Sequence, residues 1–175
     1  MFDGYRVLEL GTWVLVPAAA TVLADFGAEV IKIEHPRRGD PQRGLSTGGV
    51  TPNVDGVSIA MEQTNRGKRS VGLDVAVDEG REVLYELAAG SDVFMTSFLP
   101  AARQKLRIDV EHIRARNPDI VYVRADALGR GAPRPASPAT TRRCSSAGPG
   151  SWTRSTPTVC GCRPRCLDSA TRPGR

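Results

Sequence analysis

The sequence predicts an α/β domain with a doubly wound, mostly parallel sheet, followed by a disordered tail. Short apolar runs alternate with segments of helical character along the first 129 of the 175 residues. The links between them are short, which favours parallel strands joined by right-handed crossovers. The apolar runs are nearly continuous, as is typical of strands that are covered on both faces.

The first strand, the first helix and the second strand follow one another near the amino terminus. RVLEL, residues 6–10, is a short apolar run and predicts the first strand. PAAATVLADFGA, residues 17–28, begins with a proline and ends near Gly27, which are common signals for the start and the end of a helix. EVIKIE, residues 29–34, predicts the second strand.

Three further strands and two further helices complete the predicted alternation. The strands are RSVGLDV over residues 69–75, DVFMTSF over residues 92–98 and IVYVRADAL over residues 120–128. A helix over residues 78–90 carries its apolar residues on one face and ends at a glycine. A second helix over residues 109–117 begins with an aspartate cap and stops before a proline.

The long segment between the second and third strands, residues 35–65, has no strong periodicity. We expect a loop there, and loops of this length in compact domains are usually functional or mobile. The turn after the first strand, in ELGTWVLVP, offers one glycine and no GxGxxG pattern. A nicotinamide or flavin site is therefore disfavoured despite the similar architecture.

Charge divides the chain into a predicted domain, residues 1–129, and a predicted disordered tail, residues 130–175. The tail holds nine arginines, no lysine and one acid, which gives it eight net positive charges. Since the whole chain carries +5, residues 1–129 carry a net −3. Beyond alanine the tail has only Val159 and Leu167 as aliphatic residues, so it cannot bury a core.

Metal, membrane and nucleic-acid functions are disfavoured by the same composition. All four cysteines lie in the tail, where CGCRPRC lacks a second CxxC and a nearby histidine, so we expect no metal site. No run approaches the roughly 18 apolar residues of a membrane span, and no signal peptide is apparent, so we expect a cytoplasmic protein. The arginine-rich tail raises nucleic-acid binding as an alternative, but it has one aromatic residue, Trp152, and lacks a stacking platform.

Charged residues follow the second predicted strand directly, in HPRRGD, residues 35–40. Doubly wound sheets bind ligands beyond the carboxyl ends of their strands, where a phosphate-bearing ligand would meet these cations. SF, residues 97–98, follows the fourth strand in the same way. The alternative is that these are ordinary solvated loop residues.

Several stretches, in this order, resemble the family III CoA-transferases, which include formyl-CoA transferase, carnitine CoA-transferase and the α-methylacyl-CoA racemases. They are VLELGTWVLVPAAATVLADFGAEVIKIEHPRRGDPQRG, NRGKRSVGLD, GREVLYELAAGSDVFMTSFLP and IRARNPDIVYV. The resemblance covers about residues 4–129. It implies a large, Rossmann-like domain that binds coenzyme A, and residues 1–129 would be its N-terminal part, with an incomplete sheet. It also implies small-molecule acyl-CoA and carboxylic acid substrates and, for full-length members, an interlocked homodimer. The transferases of the family use an aspartate that forms a mixed anhydride with the acyl group, which is covalent catalysis.

The resemblance also implies nine coenzyme A contacts in this chain. His35 and Lys105 stand near positions where the family has basic residues for the nucleotide end, although lysine lacks the bidentate fork of arginine. Residues 73–76 match a stretch that borders the adenine. Ser97 and Phe98 match a pair, commonly Asn-Phe, that lines the pantetheine path. The full set is His35, Arg38, Leu73, Asp74, Val75, Ala76, Ser97, Phe98 and Lys105.

The resemblance stops near Arg130, before the PGYD-like and GDxxxG motifs of the family, the second of which holds the catalytic aspartate. With synonymous GC-rich codons chosen for residues 137–146 and 166–174, a shift of two bases yields PGYDAALFF and PGFGDPTG. We therefore expect a frameshifted tail, a truncated and inactive enzyme, and no catalytic residue in this chain. A racemase fragment and a non-catalytic CoA-binding module remain as alternatives.

Overall fold

The computed structural model describes residues 1–47, 49 and 52–125 of the chain. The strands are β1 (Arg6–Leu10), β2 (Glu29–Glu34), β3 (Asn53–Val54), β4 (Val57–Ser58), β5 (Arg69–Gly72), β6 (Val93–Thr96) and β7 (Val121–Arg124). The helices are α1 (Leu15–Asp25), α2 (Arg43–Thr47), α3 (Ile59–Asn65), α4 (Asp78–Ala89), α5 (Pro100–Leu106) and α6 (Val110–Arg114). The predicted tail, residues 130–175, lies outside the described residues.

Five of these strands form one parallel sheet in the order β5-β2-β1-β6-β7. In the centre of the sheet, Leu8 of β1 pairs with Ile31 of β2 on one side and with Phe94 of β6 on the other. The predicted α/β class with a mostly parallel, Rossmann-like sheet is confirmed. Helical crossovers on both faces explain why the apolar runs of the strands are nearly continuous.

Alternate residues of the central strands supply two separate cores. Val7, Val30 and Met95 face α1, whose buried residues include Val16 and Ala20. The neighbouring residues Leu8, Ile31 and Phe94 point to the opposite face. There they pack with buried residues of α4 and α6 and of the connections beside them, which include Leu84, Ala88, Ile108, Ile113 and Ile120.

Several element boundaries differ from the predicted ones for local reasons. Helix α1 begins at Leu15, two residues before the predicted start at Pro17. It ends before Gly27, whose φ is 100°. Strand β5 ends at Gly72 rather than at residue 75. The chain turns there because the Asp74 side chain accepts the Ala76 N–H at 3.0 Å. Helix α5 was not predicted.

The segment predicted as a loop, residues 35–65, contains regular structure, which corrects that expectation. Strands β3 and β4 form an antiparallel hairpin around Asp55 and Gly56, both of which have positive φ, at 52° and 80°. Asp-Gly is a common sequence for such two-residue turns. The side chain of Ser58 then caps α3 by accepting the Met61 N–H. None of the helices among the described residues is long and apolar enough to cross a membrane.

Candidate functional site: a cavity at the carboxyl edge of the sheet

A cavity of about 190 Å³ lies beyond the carboxyl ends of four adjacent strands. Its wall is formed by the ends of β1 and β2 and by the residues that follow β1, β2, β5 and β6. Parallel strands direct their carboxyl ends to one edge of the sheet, so four separate segments converge here. Seven of the nine predicted contact residues line the cavity: His35, Arg38, Leu73, Asp74, Val75, Ala76 and Phe98.

The turn that follows β2 fixes the ring of His35. Its Nδ1 accepts the N–H groups of Arg37 at 3.1 Å and of Arg38 at 3.3 Å. The turn closes with the N–H of Gly39 donating to the His35 carbonyl at 2.8 Å. With Nδ1 serving as an acceptor, Nε2 carries the proton of the neutral ring and lies 3.8 Å from Oδ2 of Asp74.

The segment that follows β5, residues 73–76, forms another part of the cavity wall. The Leu73 N–H donates to the Glu34 carbonyl at 2.8 Å, which ties the segment to the end of β2. Gly80, in the first turn of α4, lies directly against it. A β carbon at Gly80 would come within 2.0 Å of the Asp74 carbonyl oxygen. The path of this wall therefore depends on a glycine in the next helix.

The other two predicted contacts do not line the cavity. Oγ of Ser97 accepts the N–H of Thr12 at 3.1 Å, so this side chain fixes the loop after β1. Lys105 lies exposed in the last turn of α5. That any of the nine residues contacts coenzyme A stays a prediction.

Four buried charged residues, of which Asp40 lines the cavity, form a network that was not predicted. Lys32 Nζ lies 2.9 Å from Oε1 of Glu9 and 3.0 Å from Oδ2 of Asp40, and Lys68 Nζ lies 2.6 Å from Oε2 of Glu9. All four side chains are at most 2% exposed. Two cations and two anions balance, which is the arrangement that buried charges require. The signal was present in the sequence as a glutamate and a lysine within two strands expected to be buried.

The environment of Lys68 is crowded with acceptors. Its ammonium group also donates to the carbonyl oxygens of Pro17 at 2.7 Å and of Thr64 at 2.8 Å. Burial lowers the pKa of Lys68, while the charge of Glu9 and its hydrogen bond act in the opposite direction. Lys68 thereby joins α1, α3 and β1 through one side chain.

Glu34 and Arg43 form a second ion pair at the rim of the cavity. Two nitrogens of the Arg43 guanidinium donate to the Glu34 carboxylate. Nε lies 2.9 Å from Oε2, and one terminal nitrogen lies 2.8 Å from Oε1. Burial favours a higher pKa for Glu34. The hydrogen bonds from Arg43 and from the Asp40 N–H, together with the charges of Arg43 and Lys32, outweigh burial and hold the pKa below its ordinary value. The carboxylate is therefore a fixed anion that organises the turn.

Comparisons with known proteins find relatives of this chain both in sequence and in structure. The succinyl-CoA–L-malate CoA-transferase alpha subunit of Chloroflexus aurantiacus is 34% identical over 75% of this chain and 30% of its own length. A crystal structure of a CAIB/BAIF family protein from Brucella suis superposes with a TM-score of 0.67 and 34% identity, over 75% of this chain and 35% of the other. The orthorhombic crystal structure of Rv3272 from Mycobacterium tuberculosis superposes with a TM-score of 0.65 and 32% identity, over 85% of this chain and 40% of the other.

The chain spans about a third of the length of the curated relatives it matches. The sequence profile of CoA-transferase family III matches residues 2–156, which is most of the 175-residue chain. Its match includes the strands and connections that build the cavity. On these grounds the chain belongs to CoA-transferase family III.

Proposed function

We propose that this chain provides the coenzyme A binding site of an enzyme that transfers CoA between an acyl-CoA and a carboxylic acid. The observation that carries the proposal is the convergence of seven predicted contact residues on one cavity at the carboxyl edge of the sheet. These residues come from three separate connections. A cavity in this position is where doubly wound sheets bind nucleotides.

The chemistry of the cavity wall fits the two ends of the carrier. Leu73, Val75 and Phe98 supply apolar surface for the adenine ring and the pantetheine arm. His35 and Arg38 line the same cavity and can donate to phosphate oxygens. Asp74 limits how far the histidine ring can turn, because its carboxylate faces Nε2.

Calorimetric titration of the full chain with coenzyme A tests the proposal. We expect saturable binding that is weakened by about tenfold or more in Arg38→Ala, as for the loss of one charged hydrogen bond. Dephospho-CoA, which lacks the 3′-phosphate, separates the phosphate contribution from that of the ring. The control is Arg69→Gln. Arg69 is the first residue of β5, so it lies at the amino ends of the strands, whereas the cavity lies at their carboxyl ends. Absence of binding by the unaltered chain would overturn the proposal.

The reactive carboxylate is part of the proposal as well. We infer that a change of reading frame near Arg130 replaced the motif containing the catalytic aspartate, whose codon would straddle Ala170 and Thr171. The support is that two family motifs emerge in one alternate frame, in the expected order. On this inference, the 175-residue chain binds CoA but does not transfer it.

Sequencing the gene around codons 125–140 tests the frame directly. A chain with the frame restored should exchange CoA between an acyl-CoA and a carboxylic acid, and replacement of its restored aspartate by asparagine should abolish exchange. Clear turnover by the chain as written would contradict the inference.

Assembly is proposed by analogy with the family. We infer a homodimer for the complete enzyme. Two Chloroflexus relatives are named as alpha and beta subunits of a succinyl-CoA–L-malate CoA-transferase, which supports association of such chains into multimers but not the identity of the partner chains. Sedimentation of the frame-restored chain should give twice the mass of one chain. A monomer at concentrations that support activity would contradict this.

A further inference from the structure

Residues 11–13, the first three of the four that join β1 to α1, are held by three side chains from other parts of the chain. Lys32 donates from Nζ to the Gly11 carbonyl at 3.2 Å. Oγ of Ser97 accepts the Thr12 N–H, and Oδ1 of Asp40 accepts the Trp13 N–H, each at 3.1 Å. Three consecutive residues are thus fixed from β2, from the end of β6 and from the turn after β2.

This loop does not adopt a relaxed conformation. Trp13 has a φ of 67°, in the left-handed region that a bulky residue rarely occupies. A β carbon at Gly11 would come within 2.7 Å of Val16, so the loop also runs tightly against α1. The outside hydrogen bonds are therefore needed to keep the loop in place.

Asp40 takes part in several of the contacts that restrain this loop. Its Oδ1 accepts the N–H of Gln42 at 2.9 Å as well as that of Trp13. Its Oδ2 lies 3.0 Å from Lys32 Nζ as an ion pair, without the geometry of a hydrogen bond, and accepts none from the described residues. Lys32 in turn holds Gly11 and Glu9. One buried ion pair therefore connects the turn after β2 with the loop after β1.

The loop of residues 11–13 forms part of the cavity wall. Gly11, Thr12 and Asp40 all line the cavity, next to residues proposed above to contact coenzyme A. A shift of the loop would change the shape of that wall directly. Sites whose geometry is fixed before binding lose less free energy when the ligand is ordered.

We propose that Asp40 is a positioning residue that holds the loop of residues 11–13, with Trp13 in its left-handed conformation, ready for the ligand. This inference rests on the proposed CoA site for its effect on binding. The fixed loop itself is a property of the ligand-free chain. The two parts can therefore be tested separately.

The decisive comparison is between two double variants of equal charge. Lys32→Met with Asp40→Asn and Lys32→Met with Asp40→Ala both remove one buried cation and one buried anion, so Glu9 and Lys68 remain paired. Only the first retains a side-chain oxygen that can accept the Trp13 N–H. A purely structural role of the charges would affect both variants alike.

Two measurements on the full chain read out the difference. Amide hydrogen exchange of Trp13, followed by NMR without ligand, should be about tenfold or more faster in the alanine double variant than in the asparagine one, as for the loss of one hydrogen bond. Calorimetric titration with coenzyme A should show affinity weaker by a similar factor. Arg69→Gln is the control for both measurements.

The outcomes separate the two claims. Equal Trp13 exchange in the two double variants would overturn the positioning role, whatever their affinity for coenzyme A. An unprotected Trp13 amide in the unaltered chain would overturn it without any variant, should the variants fail to fold. If the unaltered chain binds no coenzyme A while Trp13 is protected as expected, the proposed function fails and the fixed loop stands.

Discussion

The carbonyl oxygen of Asp74 lies so close to Gly80 that a β carbon at position 80 would approach it to 2.0 Å. The first turn of α4 and the cavity wall of residues 73–76 therefore pack backbone against backbone. No movement of a flexible side chain can relieve the contact. Any larger residue at position 80 must displace the wall or the helix.

Gly80→Ala should lower the free energy of unfolding by about 1–3 kcal/mol, as overpacking of a tight site does. It should also weaken coenzyme A binding, because the displaced segment carries Leu73 to Ala76. Chemical denaturation and calorimetric titration measure the two effects. Gly44→Ala in α2 is the matched control, since a β carbon there meets no atom within 4 Å. Equal stability of the two variants would contradict the close approach.

Arg43→Gln should destabilise the domain at neutral pH and progressively less in acid. The pKa of Glu34 is held below its ordinary value of 4.5, so the ionised pair adds stability above that pH. As pH falls below 4.5 and Glu34 takes up a proton, this contribution disappears. Above pH 5.5 the expected loss is about 1 kcal/mol, less than for a fully buried hydrogen bond to a charged group, because the Arg43 side chain is 53% exposed.

Denaturant unfolding at several pH values between 3 and 7 would measure this difference between the two proteins. Arg66→Gln is the control, because Arg66 pairs with Asp25 at the surface and both side chains are about half exposed. Exposed pairs contribute little to stability. A difference for Arg43→Gln that stays constant down to pH 3 would contradict a depressed pKa for Glu34.

Lys68→Met should be strongly destabilising, and a second change at Glu9 should restore much of the loss. The single variant leaves Glu9 and Asp40 facing only Lys32, one uncompensated buried negative charge. Breaking a buried pair in this way costs about 3–5 kcal/mol, whereas removing both charges costs far less. Lys68→Met with Glu9→Gln should therefore lie closer in stability to the unaltered chain. A double variant less stable than Lys68→Met alone would contradict charge balance as the reason.

Local patterns were sufficient to predict the sheet. Each of the five parallel strands was predicted close to its observed place, and in β1, β2, β6 and β7 the signal was a short run of consecutive, largely apolar residues. The hairpin at Asp55 and Gly56 was missed although its signal is local, because its strands are only two residues long. Short strands have no periodicity that a window of residues can reveal.

The relationships that shape the cavity wall could not be predicted in the same way. Trp13 and Asp40 are 27 residues apart, and Lys68 and Glu9 are 59 apart. Contacts between residues so far apart depend on the order of the strands in the sheet, and that order cannot be read from a single sequence. The buried charges Glu9 and Lys32 indicated that partners must exist, but not which ones. Likewise, nothing local to Trp13 predicts its positive φ, because the bond that holds it comes from another connection.

Tyr122 provides a test of packing beside the cavity, at alkaline pH. Its hydroxyl donates to the Ile108 carbonyl at 2.7 Å, and its ring stacks on Phe94 with centroids 5.3 Å apart. Burial raises the pKa of Tyr122 to about 12 from an ordinary 10.0. The unfolded chain therefore releases this proton first, and the stability that Tyr122 contributes is complete below pH 10 and is lost as pH rises towards 12.

Tyr122→Phe should cost about 0.5–1.5 kcal/mol at pH 8 for the lost hydrogen bond, and the difference from the unaltered chain should shrink between pH 10 and 12. Denaturant unfolding at pH 8, 10 and 11 measures it, with ultraviolet titration of the three tyrosines as a second readout. Tyr5→Phe, at an exposed ring, is the control. A stability difference that grew with pH would mean that the native state favours the ionised phenol. The hydroxyl would then not be a buried donor to Ile108, and the packing of Tyr122 against β6 would have to be different.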